Sequence, residues 1–411
     1  MILPDLSAPK TFDDQDLGDL WRELRRSAPV VWHGPVGDRP GFWVVSRHSD
    51  IVDVYRDSGT YSSQFGNVLT TLLTGGDSAA GIMLPVTDGS RHRQLRNIIL
   101  RALSPRTLDR ILASLRDRTE RLLEAAIERG TCDFAADIAS RIPMGTIADL
   151  LGVPPEDEAF LLSQTRSALS SDERDSRPEE AVEARHEILL YFGELLDLRR
   201  KSPDHGVISE LAEAEIDGAK LTDDEIVLNC YSLIVGGDET SRLTMIDAVN
   251  ALAGHPEQWH LLRTGAVDLP TAGEELLRWA SPTMHFGRTA QADSEIAGVP
   301  IAEGDIVTLW HSSANRDETV FPSPDELMLA RTPNRHLAFG YGPHFCLGAT
   351  LARMEVTELL RALRAKVAEL DVAGPPKRIH SNFLTGFSSL PVRFGRHRTD
   401  AADGNGDARV S

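Results

Sequence analysis

A glycine-rich loop with a single cysteine stands directly before a strongly helical segment in the last quarter of the chain. The loop runs from Phe339 to Gly348 (FGYGPHFCLG), and helical periodicity follows from Leu347 to Leu370. Glycines let the backbone turn tightly and leave room for a flat molecule to approach. Free N–H groups and a partial positive charge at a helix start favour sulfur as a thiolate. The arrangement therefore predicts a metal-ligating Cys346, although a lone cysteine before a helix is by itself more often a buried structural residue.

The composition is that of a globular protein with a sizeable core. The 411 residues are 41% hydrophobic and 26% charged, and the formal net charge of −19 argues against general nucleic-acid binding. The cysteines Cys132, Cys230 and Cys346 are widely spaced, which indicates no disulfide framework and favours a reducing, cytoplasmic location. Residues 1–10 do not resemble a signal peptide, and no segment reaches the roughly 18 apolar residues of a membrane span. We expect neither a nucleic-acid partner nor a membrane segment.

Helical periodicity dominates the chain, in segments 104–130, 133–151, 156–170, 179–201, 223–253, 271–280 and 347–370. Short strands are predicted at 42–46, near 295–301 and at 306–309. Residues 66–89 have no regular pattern and are expected to form a long loop. The predicted fold class is mainly α with a small β part.

The chain has no linker or composition break that would divide it. We therefore predict one domain over residues 1–394, with its β-rich part near 30–60, 283–310 and 384–394. Residues 395–411 are polar and glycine-containing, and are expected to form a disordered tail.

The helix predicted at 223–253 carries two adjacent glycines in its middle. Gly236 and Gly237 each cost roughly 1 kcal/mol relative to alanine, which indicates a distorted turn or a close approach. Thr240 follows Gly236 by one helical turn, so its hydroxyl can donate to the Gly236 carbonyl. Such a bond would weaken the backbone hydrogen bonds of the helix at this point. Glu239 beside it supplies a carboxylate able to relay protons. Taken alone, such a segment is more often a kinked helix with a packing glycine pair.

The cysteine loop resembles the haem-binding loop of the cytochrome P450 family. The matching positions are Phe339, Gly340, Gly342, His344, Cys346 and Gly348. The resemblance extends over nearly the whole chain, with the motifs in the expected order. It implies a cytochrome P450 fold in which haem b lies between the long central helix and the helix after the cysteine loop. Cys346 would then be the axial ligand of the haem iron.

Four further residues resemble the family's haem-propionate ligands. His92 and Arg96 lie one helical turn apart and match the HxxxR segment, while Arg288 and His344 match two other positions. The planar fork of arginine suits a carboxylate because it donates two charge-assisted bonds. The resemblance implies that these four residues bind the cofactor.

Glu275 and Arg278 match the family's ExxR motif, which implies a buried structural pair that braces the cysteine loop. Without that resemblance, an i, i+3 pair is usually a solvated helix-surface pair. Glu326 stands where the family often has the arginine that completes the network. Arg331 and His336 are the alternatives for that third partner.

The function implied by the resemblance is that of a haem-thiolate monooxygenase. Glu239 and Thr240 resemble the acid–alcohol pair that delivers protons to bound O2. Since the chain has no flavin or iron–sulfur motif, electrons from NAD(P)H would arrive through a ferredoxin and its reductase. Alternatives are oxidative coupling, peroxide-driven oxidation or a non-catalytic haem-binding module.

A cluster of arginines between Arg91 and Arg110 stands out in this acidic chain. It is either a solvated helix face or the docking surface for an acidic electron donor.

The resemblance also places a substrate pocket above the haem, with the expected lining residues Leu233, Gly236, Thr283, Met284, His285 and Phe286. Their mixture of apolar and polar side chains predicts a mid-sized, partly polar organic substrate, such as a biosynthetic intermediate of a natural product. The sequence leaves open whether that substrate is free or tethered to a carrier protein.

Overall fold

Helices make up most of the computed structural model, which describes residues 3–13, 17–169 and 178–396. In chain order the α-helices are α1 (Gly18–Ser27), α2 (His48–Arg56), α3 (Leu69–Leu73), α4 (Gly89–Ala102), α5 (Pro105–Arg129), α6 (Arg141–Leu151), α7 (Glu158–Leu169), α8 (Pro178–Lys201), α9 (Val207–Glu213), α10 (Asp223–Gly254), α11 (Pro256–Thr264), α12 (Leu269–Ala280), α13 (His311–Ala314) and α14 (Ala349–Lys366). A π-helical turn at Ala135–Ala139 leads into α6.

The strands are short: β1 (Val30–His33), β2 (Phe42–Val45), β3 (Tyr61–Ser62), β4 (Thr131–Asp133), β5 (Glu215–Ile216), β6 (Ala219–Lys220), β7 (His285–Ala290), β8 (Ser294–Ile296), β9 (Val299–Ile301), β10 (Ile306–Trp310), β11 (Val367–Val372), β12 (Lys377–Arg378), β13 (Phe387–Ser389) and β14 (Pro391–Arg396). The largest sheet has the order β1-β2-β10-β7-β3, and a second has the order β11-β14-β4. Within the larger sheet β2 and β10 are parallel, and the other neighbours are antiparallel. The predicted mainly helical fold with a small β part is confirmed.

The long central helix α10 begins and ends as predicted. Thr222 and Glu225 form the capping box, in which each side chain binds the other residue's backbone N–H. Apolar residues lie on several faces of α10, so the helix is buried along most of its length. Ile234 packs in a cluster with residues of α6 and α8, whereas Leu252 packs with residues of α12 and α14. This position places the middle of α10 at the centre of the molecule.

Two predicted helix boundaries are wrong. The helix predicted at 347–370 ends at Lys366, and Val367–Val372 pairs with β14 as a strand. The helix predicted at 133–151 is preceded by β4 and a π-helical turn, because β4 also pairs with β14. Both errors come from strand pairing between distant segments, which overrides local helical periodicity.

The loop predicted at 66–89 contains a short helix, α3, and a 3₁₀ turn at Leu84–Val86. Gly395 and Arg396, which were expected in the tail, are the last residues of β14. The rest of the predicted tail, 397–411, lies outside the described residues. Among the helices of the described ranges, none is long and apolar enough to cross a membrane.

Candidate active site

A cavity of about 420 Å³ lies between α10 and the cysteine loop that leads into α14. Cys346 of the loop lines it together with Gly236 and Thr240 of α10. His92 and Arg96 of α4 and Arg288 of β7 complete its edge, together with His344 of the loop. The structure therefore brings the predicted thiol ligand, the propionate ligands and the hydroxyl of α10 into one cavity.

Backbone contacts fix the cysteine loop. The N–H of Cys346 donates to the carbonyl of Phe339 at 2.8 Å. Gly340 and Gly342 have φ values of 69° and 71°, in the left-handed region that glycine adopts most readily. A Cβ atom on Gly342 would lie 2.6 Å from the carbonyl oxygen of Tyr55. Both its backbone conformation and this close approach therefore require glycine at position 342. The glycines predicted to shape the loop do so by backbone conformation and close packing against α2.

The helix start does not by itself make Cys346 a thiolate. Burial raises the pKa of the Cys346 thiol, while the N–H groups of Gly348 and Ala349 and the charge of Arg96 act in the opposite direction. The expectation that the helix terminus favours the thiolate is confirmed for that contribution, and burial outweighs it in the absence of a bound cation. A bound metal cation would supply the missing stabilisation of the anion.

The four predicted propionate ligands converge at the edge of the cavity. The rings of His92 and His344 lie 4.2 Å apart, and burial lowers the pKa of His92 to about 4. Arg96 donates no hydrogen bond to another residue of the described chain. Arg288 is buried and donates to the carbonyl of Gly287 at 2.6 Å. Guanidinium groups so poorly supplied with protein acceptors indicate an anionic ligand.

Asp88, at the start of α4, is the partner of His344 that sequence reasoning missed. The Nε2 atom of His344 lies 2.8 Å from Oδ1 of Asp88, while Ser62 Oγ and the Ser63 N–H donate to Oδ2. Burial acts to raise the pKa of Asp88, but the hydrogen bonds from His344 and Ser62 lower it to about 2. Asp88 thus holds His344 in place at the cavity edge.

The residues around the cavity fit an iron porphyrin. Cys346 offers a soft sulfur ligand for iron in the cavity lining. Arg96 and Arg288 offer charges that match two propionates, and Gly236 leaves open space where a Cβ atom would meet nothing within 4 Å. The sulfur ligand, the two positive charges and the open space beside Gly236 therefore all fit a bound haem.

Of the two possibilities that the glycine pair of α10 left open, the structure shows a close approach, at Gly237. Thr240 Oγ1 donates to the carbonyl of Gly236 at 3.1 Å, as predicted from their spacing. Thr244 repeats the pattern by donating to the carbonyl of Thr240 at 2.8 Å. A Cβ atom on Gly237 would lie 3.1 Å from Ile147 of α6, so that glycine permits close helix packing. The helix nevertheless runs without interruption through this region.

Glu239 is held by an ion pair that we did not predict. Arg242, one turn further along α10, donates from Nε and Nη2 to the two carboxylate oxygens at 2.8 and 2.6 Å. Both side chains are buried. The neighbouring Asp238 accepts from Thr165 Oγ1 at 3.3 Å, and burial together with the charge of Glu239 raises its pKa to about 8. The carboxylate of Glu239 lines the cavity in a fixed position.

A second buried carboxyl also reaches the cavity. Glu355 of α14 is buried and hydrogen-bonds with the hydroxyls of Ser241 and Thr146, all three of which line the cavity. Burial raises the pKa of Glu355 to about 7, although both hydroxyls act to lower it. No periodic or motif signal pointed to Glu355 beyond its place on α14, the helix that follows the cysteine loop.

Four of the six predicted pocket residues line the cavity, namely Leu233, Gly236, Thr283 and Phe286. Met284 and His285 do not, and that part of the prediction is wrong. His285 stacks on Trp310 with ring centroids 4.3 Å apart, on the other face of β7 from Phe286, because successive strand residues point to opposite faces. Met284 packs in an apolar cluster with Trp310 and Leu6.

Arg331 is the third partner of the buried pair formed by Glu275 and Arg278. Arg278 donates to both oxygens of Glu275 at 2.8 Å, and both side chains are fully buried. Arg331 Nε adds bonds of 3.1 and 3.0 Å to the same carboxylate. His336, the other alternative, contacts Glu274 instead, at 3.2 Å.

The arginines between 91 and 110 do not share one face. Arg91 pairs with Glu225 of α10, and Arg96 faces the cavity. Arg93, Arg101 and Arg106 are exposed. Only part of the predicted basic surface is thus available to a partner.

Comparison with known proteins agrees with this geometry. The sequence model of the family described as Cytochrome P450 matches residues 270–376. Cytochrome P450 NovI of Streptomyces niveus is 49% identical over 390 residues, which cover 95% of this chain and 96% of that protein. Linalool 8-monooxygenase of Pseudomonas putida is 35% identical, with 95% of this chain and 99% of the relative covered.

The fold is also that of solved structures. The crystal structure of P450 OxyD, which is involved in the biosynthesis of vancomycin-type antibiotics, matches with a TM-score of 0.88 at 35% identity. The match covers 96% of this chain and 100% of that structure. With a thiol, basic side chains and a hydroxyl-bearing central helix around one cavity, and with relatives over nearly its full length, the chain belongs to the cytochrome P450 family of haem-thiolate monooxygenases.

Proposed function

We propose that this protein is a cytoplasmic monooxygenase that hydroxylates or epoxidises a biosynthetic intermediate of a natural product. The observation that carries the proposal is that Cys346 of the cysteine loop and Thr240 of α10 line one cavity. The likeness to NovI, and to OxyD with its part in antibiotic biosynthesis, supports the choice of substrate class. The mixed lining, in which Leu233 and Phe286 stand beside Thr283, fits a partly polar organic molecule.

The proposed cofactor is haem b, held by Cys346 through sulfur and by His92, Arg96, Arg288 and His344 at the propionates. When bound, thiolate-ligated haem supplies the iron at which O2 is cleaved. The protein's own part is to orient the cofactor and exclude water from it. Asp88 contributes by holding His344 in its position at 2.8 Å.

Proton delivery is the proposed role of Thr240 and Glu239. The hydroxyl of Thr240 lies on the cavity wall and keeps a bond to the Gly236 carbonyl, so it can donate into the cavity only by turning from that carbonyl or by holding a water beside it. Arg242 fixes the carboxylate of Glu239, which can pass protons through water between solvent and the hydroxyl. The pair thus offers a hydroxyl inside the cavity and a charged group behind it.

Electrons are proposed to come from NAD(P)H through a ferredoxin reductase and a ferredoxin. The exposed side chains of Arg93, Arg101 and Arg106 lie on and after α4, the helix that carries His92 and Arg96. A positive surface at this place would attract an acidic donor.

Turnover with purified ferredoxin, its reductase and NAD(P)H tests the proposal. Candidate intermediates should be offered both free and tethered to a carrier protein, since the cavity does not distinguish the two. A substrate-induced shift in the haem absorption first identifies which compounds bind. We expect an oxygenated product that depends on the electron-transfer proteins. Product formed only with added peroxide, or no product from any compound that binds, would overturn the proposal.

A further inference from the structure

Asp77 places a carboxylate in the cavity lining without a cation of the protein to balance it. It lies between α3 and the 3₁₀ turn at Leu84–Val86, and it is half-buried. Its Oδ1 atom accepts from the N–H of Ala79 at 2.9 Å, whereas Oδ2 accepts no hydrogen bond from any residue in the described ranges. Since a carboxylate withdrawn from water is costly unless it is paired, the free oxygen indicates a ligand group.

The other charges of the described cavity lining are already compensated. Arg242 pairs with the carboxylate of Glu239 through two hydrogen bonds. Burial raises the pKa of Glu355 to about 7, so about half of this carboxyl is neutral at pH 7. The arginines at the cavity edge match the two propionates of haem. Once haem is bound, the carboxylate of Asp77 is therefore the charge of the lining that no protein group offsets.

Backbone contacts hold Asp77 in place. Its N–H donates to the carbonyl of Phe65 at 2.9 Å, and its carbonyl accepts from the N–H of Ala80 at 3.2 Å. A Cβ atom on the preceding Gly76, whose φ is 108°, would lie 3.0 Å from the same Phe65 carbonyl. The loop thus presents the carboxylate at a defined point of the lining, as selective binding of a small molecule requires.

Tyr231 of α10 is a polar neighbour of this carboxylate in the lining. Burial raises the pKa of Tyr231, and the negative charge of Asp77 acts in the same direction. The charge of Arg185 in α8 acts in the opposite direction, but Arg185 lies outside the lining, and no ion pair joins it to Asp77 within the described ranges. The phenol of Tyr231 is neutral, so its oxygen can accept a hydrogen bond from a donor bound at Asp77.

We propose that Asp77 selects substrates that carry an ammonium group, and that the phenol oxygen of Tyr231 accepts a second hydrogen bond from the same nitrogen. The inference rests on the proposed function and narrows its substrate to organic amines. An ammonium group offers three N–H donors and a full positive charge, which the free carboxylate oxygen and the phenol oxygen bind together. A hydroxyl group would leave the carboxylate uncompensated, and an anionic group would be repelled.

Matched pairs of compounds test the inference. We would titrate the haem-loaded protein with phenylalkylamines of increasing chain length and with the corresponding phenylalkyl alcohols, and measure binding by isothermal titration calorimetry. The wild type should bind the amine of a pair more tightly than the alcohol. If no amine of the series binds more tightly than its alcohol, the inference is overturned, whether or not any variant folds.

Asp77→Asn removes the charge and keeps an oxygen that can accept from the Ala79 N–H. Affinity for the amine should fall about tenfold, or about 1.4 kcal/mol, while affinity for the alcohol stays the same. Asp224→Asn is the matched control, because Asp224 is an exposed acid of α10 outside the cavity lining. Equal losses in the two variants would mean that the overall charge attracts the amine, which would overturn the inference.

The haem absorption distinguishes an amine held at Asp77 from one bound directly to the iron. A nitrogen ligand on the iron shifts the haem absorption to longer wavelength, whereas an amine held at Asp77 leaves the iron free. A shift to longer wavelength, with an affinity unchanged in Asp77→Asn, would overturn the inference. Tyr231→Phe should weaken amine binding several-fold and spare the alcohol. Unchanged amine binding in that variant would exclude Tyr231 from the site.

The two proposals fail in different ways. The ferrous CO spectrum, recorded first for every variant, shows whether haem is bound through Cys346. Correctly loaded protein that prefers amines but forms no oxygenated product from them contradicts the proposed function. Correctly loaded protein that oxygenates an amine and its alcohol equally well, in wild type and in Asp77→Asn alike, contradicts only this inference.

Discussion

Arg331 donates from Nε to both carboxylate oxygens of Glu275, at 3.1 and 3.0 Å, in a site where both side chains are buried. Its Nη atoms donate further to backbone carbonyls of Pro322, Ser323 and Glu326. One side chain therefore joins α12 to the segment before the cysteine loop.

Replacement of Arg331 by Leu should destabilise the protein by about 3–5 kcal/mol, because it removes one partner of a buried charge network. Urea unfolding followed by circular dichroism measures the change. His336→Asn is the matched control, since His336 contacts the half-exposed Glu274 from the same segment. Equal losses in the two variants would contradict the role given to Arg331.

Replacement of Cys346 by Ser should abolish the far-red-shifted absorption of the ferrous CO complex, because a hydroxyl cannot replace thiolate as the electron-donating ligand. Cys132→Ser should keep the band, as Cys132 lies in β4 outside the cavity lining. Survival of the band in Cys346→Ser would show that Cys346 is not the iron ligand. Loss of the band in both variants would point to a general folding defect.

Replacement of Thr240 by Ala should leave substrate binding intact but divert electrons from product to peroxide. The ratio of product formed to NAD(P)H consumed measures this coupling. Thr244→Ala is the control, because Thr244 lines the same cavity and makes the same kind of bond to the carbonyl one turn before it. Equal coupling in Thr240→Ala and wild type would place the proton donor elsewhere.

Glu355 should make the protein less stable as the pH rises. Its pKa in the folded protein is about 7, raised from 4.5 by burial, so the folded state binds the proton more tightly than the unfolded state does. The stabilisation is fully present below pH 4.5 and is lost as the pH rises through 7. The difference amounts to about 3 kcal/mol.

Glu355→Gln removes this dependence, because an amide does not titrate in the range. Thermal unfolding of both proteins between pH 5 and pH 8 should show the variant gaining stability relative to the wild type at the upper end. A difference that stays constant with pH would mean that the carboxyl of Glu355 keeps an ordinary pKa in the folded protein.

Local chemistry made the helices and the glycine loop predictable. The capping box of Thr222 and Glu225 and the bond from Thr240 to Gly236 depend on residues three or four positions apart, and both were confirmed. The i, i+3 spacing of Glu239 and Arg242 carried the same kind of signal, which we overlooked.

Long-range pairing could not be predicted in this way. Asp88 contacts His344 across 256 positions, and no local pattern links the two. The strand β11 was predicted as helix because its pairing with β14 cannot be read from its own sequence. Met284 and His285 were placed in the pocket because the resemblance gave the segment but not which face of β7 each residue occupies.

Glu225 does two things at the first turn of α10: it completes the capping box with Thr222, and it pairs with Arg91 of α4. An ion pair thereby joins α10, which bears Thr240, to α4, which bears His92 and Arg96. We expect these two helices to move together as one rigid unit. Adaptation to ligands of different size then falls to lining residues outside these two helices, among them Asn67, Met83 and Leu169.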